Sequence, residues 1–520
     1  MSAPRGSLVV ALLAGCIQRP IPAGDPAVPD VVLVSIDTLR ADHLGSYGYE
    51  RDTSPFIDGL AARGLRWEHA RAPAPWTLPS HVTMLSGVLP QHHLAVEDDI
   101  GIAPDLPLLA ESLAARGFAT GGFTSTLFVS RKYGFERGFD HFDDGGITTT
   151  KQNLAGEVTA TDVVDGALKW LGRREAGEPV FLFLHFYDTH YAYDPPAPFD
   201  TLFDRAPRDD DARYKKYHHY LEHPLDPAQL EHQVAQYDEA IRYVDSELER
   251  LHAALEATGR QATWVITADH GEEFGERGSW GHAHTLYPEQ LRVPLVVSGA
   301  RAPTAGVVQQ VVGLEDIAPT LAGLVGAELA AGDGRVLALD PAAQTDPERR
   351  FLAETSRFDT QRIGLWEHGM RLDIDQAADA RQLYLTDSDP QERYDHLLDL
   401  DQPHVQAVLL ESHLWAALGA PWECAQPGTV SARGGLIIQA APRGRKLGCA
   451  AGDRFAVYPL DAEISHSADP VRYRAGEHPP EAGAPLRWHG GLGQAVRLTP
   501  EQRAQLEALG YLQAGPDDRE

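Results

Sequence analysis

Three short runs of consecutive apolar residues stand out, and each gives way abruptly to residues that carry charge. Val31–Ile36 leads into Asp37, Val180–Phe186 into Asp188 and His190, and Thr263–Thr267 into Asp269, His270 and Gly271. Runs of this length, rich in β-branched and aromatic residues, predict strands covered on both faces, as in a parallel sheet. Between them the apolar positions take up helical spacing. Ser54–Gly64 has Pro55 in its first turn and closes on Gly64, and Leu106–Gly117 closes on Gly in the same way. Gln236–Leu255 sets apolar residues at three- and four-residue intervals, with Glu and Arg on the other face. Such alternation predicts an open α/β fold, a large mostly parallel sheet flanked by helices. Ligands of these sheets sit beyond the carboxyl ends of the strands. All three polar clusters fall there, which points to a single active site.

Further along, the pattern changes. A Pro/Ala/Gly-rich stretch at about 329–348 marks a boundary and leaves 31–328 as one large catalytic unit. Shorter alternating segments in 349–420, among them Arg362–Asp373 and Gln382–Thr386, predict a small antiparallel sheet in a C-terminal α+β subdomain. Residues 421–495 are rich in Gly and Pro and read as a loop-rich β appendage, and 496–520 as a final helix, Leu498–Leu512, with a tail. At the other end, 1–16 combine one Arg, a short apolar run and Leu13-Ala14-Gly15-Cys16, which resembles the bacterial lipobox. The expectation is a lipoprotein signal peptide over 1–16 and a tether over 17–30. The protein would be secreted across the inner membrane and anchored by a lipid on Cys16 in the envelope (outer membrane or periplasm) or at the cell surface. A plain signal peptide or a short buried helix is the alternative. An oxidising compartment would permit a Cys424–Cys449 disulfide.

Composition narrows the partners. Among 520 residues, 45 Lys+Arg stand against 75 Asp+Glu, a net charge of −30. A chain this acidic repels phosphate backbones, so nucleic acid is not expected as a partner. An anionic small-molecule or envelope ester substrate would need a local positive centre such as a metal. Three cysteines are too few for a disulfide scaffold or a Cys-based zinc site. No apolar stretch is long enough to span a bilayer as a helix, so membrane contact is expected only through the lipid.

The candidate chemistry gathers around Thr77-Leu-Pro-Ser80-His81. Pro79 suits the first turn of a helix, which places Thr77 at a helix N-terminus, where N–H groups favour an anion. The plainer reading makes Thr77 an N-cap. Asp37, Asp269, His270 and the Thr77 oxygen form an O/O/N/O set suited to one divalent cation. His190 and the pair His282 and His284 add imidazoles to the same rim, one to bind a substrate oxyanion and another to protonate the leaving oxygen. With 23 histidines in the chain, each has a plain reading as a core or surface residue. His190 gains from Asp188 before it, and His282 from following Asp269-His270 in a Gly-rich loop.

The order Val-Ser-Ile-Asp-Thr-Leu-Arg-Ala-Asp (34–42), Thr-Leu-Pro-Ser-His…Ser-Gly (77–87), Phe-Tyr-Asp-Thr-His (186–190) and Thr-Ala-Asp-His-Gly-Glu (267–272) closely resembles the sulfatase family of the alkaline phosphatase superfamily. The resemblance covers about 30–400 and the C-terminal helix. It implies a sulfatase-like α/β fold and ester hydrolysis with a metal held by Asp37, Thr77, Asp269 and His270. It further implies Thr77, His190, His282 and His284 as catalytic residues, and Ser80, His81 and His190 as substrate-binding ones. The departures are informative. Sulfatases carry Cys or Ser in a Cys/Ser-x-Pro-x-Arg motif, oxidised to formylglycine. Thr77 already bears a methyl on its β-carbon and cannot yield that aldehyde, so no formylglycine is expected. His81 stands where the Arg would be, and the usual Asp-Asp near the first strand is reduced to Asp37-Thr38. Thr is the nucleophile in superfamily relatives acting on phosphorus, such as nucleotide pyrophosphatases and phosphoethanolamine transferases. His270, where many sulfatases have Asn, favours zinc or manganese over calcium. The expected activity is hydrolysis of phosphate-type esters by Thr77. Direct attack on sulfate esters, transfer to an envelope acceptor and an inactive lipid-anchored binding protein are the alternatives. A second metal at Asp188, His190 and His282 is the less favoured arrangement, because the Asp188-x-His190 spacing differs from that of two-metal relatives.

Overall fold

The structure, a computed structural model, describes residues 28–145, 158–206, 223–300, 305–343, most of 346–398 and four short strands beyond. Its centre is a nine-stranded, mostly parallel sheet. The strands are β1 (Asp30–Ile36), β2 (Leu65–Arg71), β3 (Ala119–Phe123), β4 (His141–Asp143), β5 (Val180–Phe186), β6 (Ala262–Thr267), β7 (Leu295–Gly299) and β8 (Gly306–Gly313). They lie in the order β8-β2-β7-β6-β1-β5-β3-β4, with the two-residue strand Arg292–Val293 added on β2. The three apolar runs read from the sequence are β6, β1 and β5, parallel neighbours at the middle of the sheet. Every residue of all three is buried, which is why no polar alternation interrupts them. Each Val, Ile or Phe so covered stabilises the fold by about 1.5–3 kcal/mol. Asp30 ties the bottom of this trio together: its carboxylate accepts from Val180 N at 2.9 Å and pairs with Arg260 at 3.1 Å.

β7 runs antiparallel to both β6 and β2, so one reversed strand interrupts the parallel order. Helices α1 (Pro55–Arg63), α2 (Thr77–Ser86), α3 (Leu109–Arg116), α4 (Ala160–Leu171), α5 (Pro227–Ala257) and α6 (Ile317–Val325) pack on the sheet. The helix expected over Gln236–Leu255 begins nine residues earlier, at Pro227. Asp226 caps it by accepting from Ala228 N and Gln229 N, and its opening turns carry too few apolar residues to reveal themselves. α2 is buried along all ten residues and stops at Gly87, whose φ of 75° closes the last turn.

The second sheet is antiparallel and four-stranded: β9 (Phe351–Thr355), β10 (Arg362–Glu367), β11 (Met370–Asp375) and β12 (Ala380–Tyr384). Farther on, Thr429–Ser431 pairs with Ile437–Gln439, and Arg454–Val457 with Val471–Arg474. The segment expected to be a signal peptide, with Cys16, the helix expected at Leu498–Leu512, Cys424 and Cys449 lie outside the described residues. Among the described residues no helix is long and apolar enough to cross a membrane.

Candidate active site and metal centre

Because β6, β1 and β5 are adjacent and parallel, their carboxyl ends deliver side chains to one place. Asp37 continues β1, its N–H donating to Phe186 O at 2.8 Å. Thr38 then turns the chain sharply with φ at 55°, an unfavourable conformation for a β-branched residue. Three contacts hold it there. Thr38 N donates to Asp269 Oδ1 at 3.2 Å, its hydroxyl to Thr189 O at 2.7 Å, and Tyr237 OH to Thr38 O at 2.8 Å. The strained turn thus links the ends of all three strands.

After β6, His270 N donates back to Asp269 Oδ1 at 2.9 Å, so that oxygen is occupied and Oδ2 is not. His270 Nδ1 donates to Gly271 O at 2.9 Å, which leaves the Nε2 lone pair turned the other way. Position 271 must be glycine, since a Cβ there would lie 2.2 Å from Glu289 O. Thr77 is the first residue of α2, with Trp76 as the N-cap, so its side chain is not consumed in capping. Its hydroxyl lies 3.5 Å from Asp37 Oδ2, an oxygen that His185 Nε2 also approaches at 3.2 Å.

Three buried atoms at this point, Asp37 Oδ1, Asp269 Oδ2 and His270 Nε2, have no hydrogen-bond partner among the described residues. His270 Nε2 is 3.4 Å from Asp269 Oδ2 and 3.8 Å from Asp37 Oδ1. Two donors bound at about 2.1 Å to one ion stand roughly 3.0–3.5 Å apart, so the trio fits a divalent cation after slight contraction. Without one, each orphan costs about 1–3 kcal/mol, and more where it is charged. Burial, then the neighbouring Asp269 and Glu272 carboxylates, push the Asp37 carboxyl well above its ordinary range. The donor set, two carboxylate oxygens and an imidazole nitrogen with the Thr77 hydroxyl beside them, is of the kind that holds a divalent cation.

The expected imidazoles divide into two groups. His190 and His282 stand at the site, with ring centres 5.0 Å apart, and His282 lies 4.5 Å from the His270 ring. His190 stacks on Tyr187 and bonds Tyr191 O through Nδ1 at 2.6 Å, while His282 Nδ1 lies 3.1 Å from Glu272 Oε1. Burial, then His282, pull His190 down to about 3, and burial with His270 pulls His282 well below the usual range. His284 turns away, its Nε2 lying 2.8 Å from Glu273 Oε2 and its Nδ1 on His282 O. His81 likewise faces inward, donating from Nδ1 to Thr77 O at 2.8 Å and meeting the Ser35 hydroxyl at 2.9 Å through Nε2. The Ser80 hydroxyl is spent on Ala74 O at 2.7 Å.

Three participants escaped the sequence reading. His185 hides inside the apolar run of β5, where a lone buried imidazole opposite Ser35 was the available signal. Glu272, the last residue of the 267–272 motif, backs His282 on one oxygen and accepts from Tyr193 OH at 2.8 Å on the other. Arg357 follows β9 in the small sheet. Its guanidinium lies 4.2 Å over the Trp76 ring and is ion-paired to Asp98. Thr355, two residues earlier, donates to Ala283 O at 2.7 Å and brings this segment against the His282 loop.

Asp188 is drawn elsewhere, its Oδ1 accepting from Ala160 N at 3.0 Å at the start of α4. It does not join His190 and His282 in a cation-binding group among the described residues. Burial pushes its carboxyl up to about 7. The folded protein therefore holds a proton that the unfolded chain releases near its ordinary value of about 3.9. Stability from this group is full below that value and falls as pH rises toward 7. Asp188→Asn keeps the acceptor for Ala160 and removes the titration. We expect the variant to gain about 1–2 kcal/mol on the wild type between pH 5 and pH 8 in urea unfolding; parallel pH profiles would refute the assignment.

Comparison with known proteins agrees with this fold. The sulfatase family model matches residues 29–327, more than half of the chain. An arylsulfatase of Clostridium perfringens is 22% identical over 360 residues, 56% of this chain and 74% of its own. The multifunctional alkaline phosphatase superfamily protein PehA of Trinickia caryophylli is 24% identical over 392 residues, 59% of this chain and 76% of its own. Among solved structures, the phosphonate monoester hydrolase of Silicibacter pomeroyi superposes with a TM-score of 0.61 at 21% identity, over 74% of this chain and 94% of the other. With a matching family model, the expected central strands and the small antiparallel sheet in place, the chain belongs to the sulfatase family of ester hydrolases.

Proposed function

We propose that this protein is an extracytoplasmic, metal-dependent hydrolase of phosphate-type esters that uses Thr77 as its nucleophile. The observation that carries the reading is the Thr77 hydroxyl, 3.5 Å from Asp37 Oδ2 and beside three partnerless buried donor atoms. Asp37, Asp269 and His270, with Thr77 itself, would hold a single divalent cation, zinc or manganese in preference to calcium. When bound, the cation would lower the pKa of the Thr77 hydroxyl and neutralise one ester oxygen.

The chain's own groups supply the rest. Asp37 Oδ2 is placed to accept the Thr77 proton, and His185 steadies that oxygen from behind. The first turn of α2, with its N–H groups unpaired by helix geometry, faces the transferred group and favours its charge. Ser80 contributes through that backbone, since its hydroxyl is engaged with Ala74. His81 supports the turn through Thr77 O and leaves the missing motif Arg unreplaced at that position. Arg357, brought in by the small sheet against Trp76, supplies a cation near the site instead. His282, backed by Glu272, donates a proton from Nε2 to the departing oxygen. Burial keeps this imidazole neutral in the free protein, and an arriving anionic ester favours its protonated form. His190 borders the same space and orients the ester.

Phosphorus is preferred over sulfur for a chemical reason. A hydrated aldehyde can expel a bound sulfate with its second hydroxyl, whereas a threonine ester has none and must be released by attack on the central atom. Alkyl sulfates resist that attack. Relatives of both kinds are present, a phosphonate monoester hydrolase among the structures and arylsulfatases among the sequences. The extracytoplasmic location rests on residues 1–16 alone. Purified protein supplied with zinc or manganese should cleave bis(4-nitrophenyl) phosphate or a 4-nitrophenyl phosphonate with a kcat/KM about a hundredfold above that for 4-nitrophenyl sulfate. Faster sulfate turnover would turn the assignment to direct sulfate-ester hydrolysis.

A further inference from the structure

Away from the catalytic cluster, a cavity of about 660 Å³ lies between the edge of the main sheet and the small antiparallel sheet. Its walls come from the end of β2, the segment around Leu286–Arg292, and β10 with the turn after it. None of Asp37, Thr77, His190, Asp269, His270 or His282 lines it.

Several charged groups of its lining are engaged in ion pairs, with one another or with residues behind the wall. Glu68 is held by Arg292 at 2.6 Å, Glu367 by Arg350 at 2.7 Å, and Glu392 by Arg371. Arg349 is bound to Glu315 and Asp316. Arg71 stands apart from these pairs: its half-buried guanidinium makes no hydrogen bond or ion pair with any described residue, although the Asp387 carboxylate shares the lining. It is retained by two aromatic faces, 5.2 Å from the Trp366 ring centre and 5.8 Å from that of Phe351. A π face offsets a cation's loss of water without using its N–H donors. The guanidinium therefore keeps its planar fork of donors, the geometry that matches an oxyanion in two parallel bonds. Burial, with the nearby Arg371 and Arg292, pulls Arg71 down to about 10 against the opposing influence of the Glu392 and Asp387 carboxylates. The cavity is larger than a bare tetrahedral oxyanion needs, which leaves room for an attached organic body.

We propose that this cavity is a second anion-binding site, in which Arg71 grips a sulfate, sulfonate, phosphate or carboxylate carried on an organic molecule. The site does not depend on the catalytic reading, and its test uses no turnover. The full chain is titrated calorimetrically with 4-bromobenzenesulfonate and separately with sodium sulfate, as wild type and as Arg71→Gln. Loss of a bidentate grip weakens 4-bromobenzenesulfonate by about tenfold or more in the variant. If sodium sulfate weakens equally, a free oxyanion suffices as ligand; if only the sulfonate does, the organic body is part of what is recognised. Equal affinities of wild type and R71Q for both ligands would overturn the proposal. Crystals of the wild type soaked in 4-bromobenzenesulfonate give a readout that does not require the variant to fold. The bromine should appear in this cavity with the sulfonate on Arg71; bromine found only beside Thr77, or nowhere, refutes the site.

Discussion

Thr77→Ala should lower kcat by about four orders of magnitude while the protein stays folded, because removal of an attacking atom leaves only binding and electrostatic terms. The hydroxyl lies at the N-terminus of α2 with only a long 3.5 Å contact to Asp37 Oδ2, whereas Ser80 is bonded to Ala74 O at 2.7 Å. Thr77→Ser keeps an oxygen at the same position and should retain activity to within about tenfold, the difference reflecting the lost methyl contacts. Steady-state rates with a phosphodiester, alongside thermal unfolding of each variant, give the comparison. A mass increase on the peptide containing Thr77 after rapid acid quench would report the covalent ester directly. Thr77→Ala with more than about one per cent of wild-type kcat would remove Thr77 from the nucleophile's role.

Chelation is expected to abolish turnover and lower the melting temperature, with a less obvious companion effect. In metal-free protein, the buried Asp37 and Asp269 carboxylates face each other with Glu272 nearby, and among the described residues Asp37 Oδ1 and Asp269 Oδ2 have no hydrogen-bond partner. Asp37→Asn relieves part of that repulsion. The metal-free variant should therefore be more stable than the metal-free wild type, by about 1–3 kcal/mol, although it is inactive. Zinc or manganese at a hundred times its dissociation constant should stabilise the wild type by about 2.7 kcal/mol and the variant by far less. Thermal unfolding across a metal titration, with elemental analysis of the protein as purified, measures both. Wild type that is indifferent to chelator and to added metal would dismiss the metal centre.

His81, Ser80 and His284 illustrate how far residue type can mislead about role. Ser80 and His81 occupy motif positions and His284 a Gly-rich loop, yet each turns its polar atoms onto partners within the protein: Ser35 and Thr77 for His81, Ala74 for Ser80, Glu273 and Ser279 for His284. In the reading proposed here, His81 and His284 position their neighbours and do not touch substrate. Arg357 shows the converse. It lies 280 positions after Thr77 and in a different sheet, in a segment with no pattern of its own, and reaches Trp76 only because β9 packs beside the His282 loop.

The fold was legible to the same uneven degree. β1, β5 and β6 declare themselves because burial on both faces leaves no polar position to confuse the pattern. β2, Leu-Arg-Trp-Glu-His-Ala-Arg, is partly exposed and carries four charged or titratable residues, and β3, Ala-Thr-Gly-Gly-Phe, is weakened by two glycines. Neither resembles a strand until its neighbours supply the hydrogen bonds.

Local chemistry written along the chain was enough to settle the sheet's central strands, the polar residues at their ends, and a threonine that no oxidation can turn into an aldehyde. Those properties follow from composition over a few residues and from covalent structure, which one dimension records. Which oxygens and nitrogens remain available for an ion or a substrate is a different kind of fact. It depends on partners dozens to hundreds of positions away, such as Asp37 with His185, Thr38 with Asp269 and Ala283 with Thr355. Packing brings those partners within hydrogen-bonding distance, and only then are some donors consumed and others, at Asp37, Asp269, His270 and Arg71, left open.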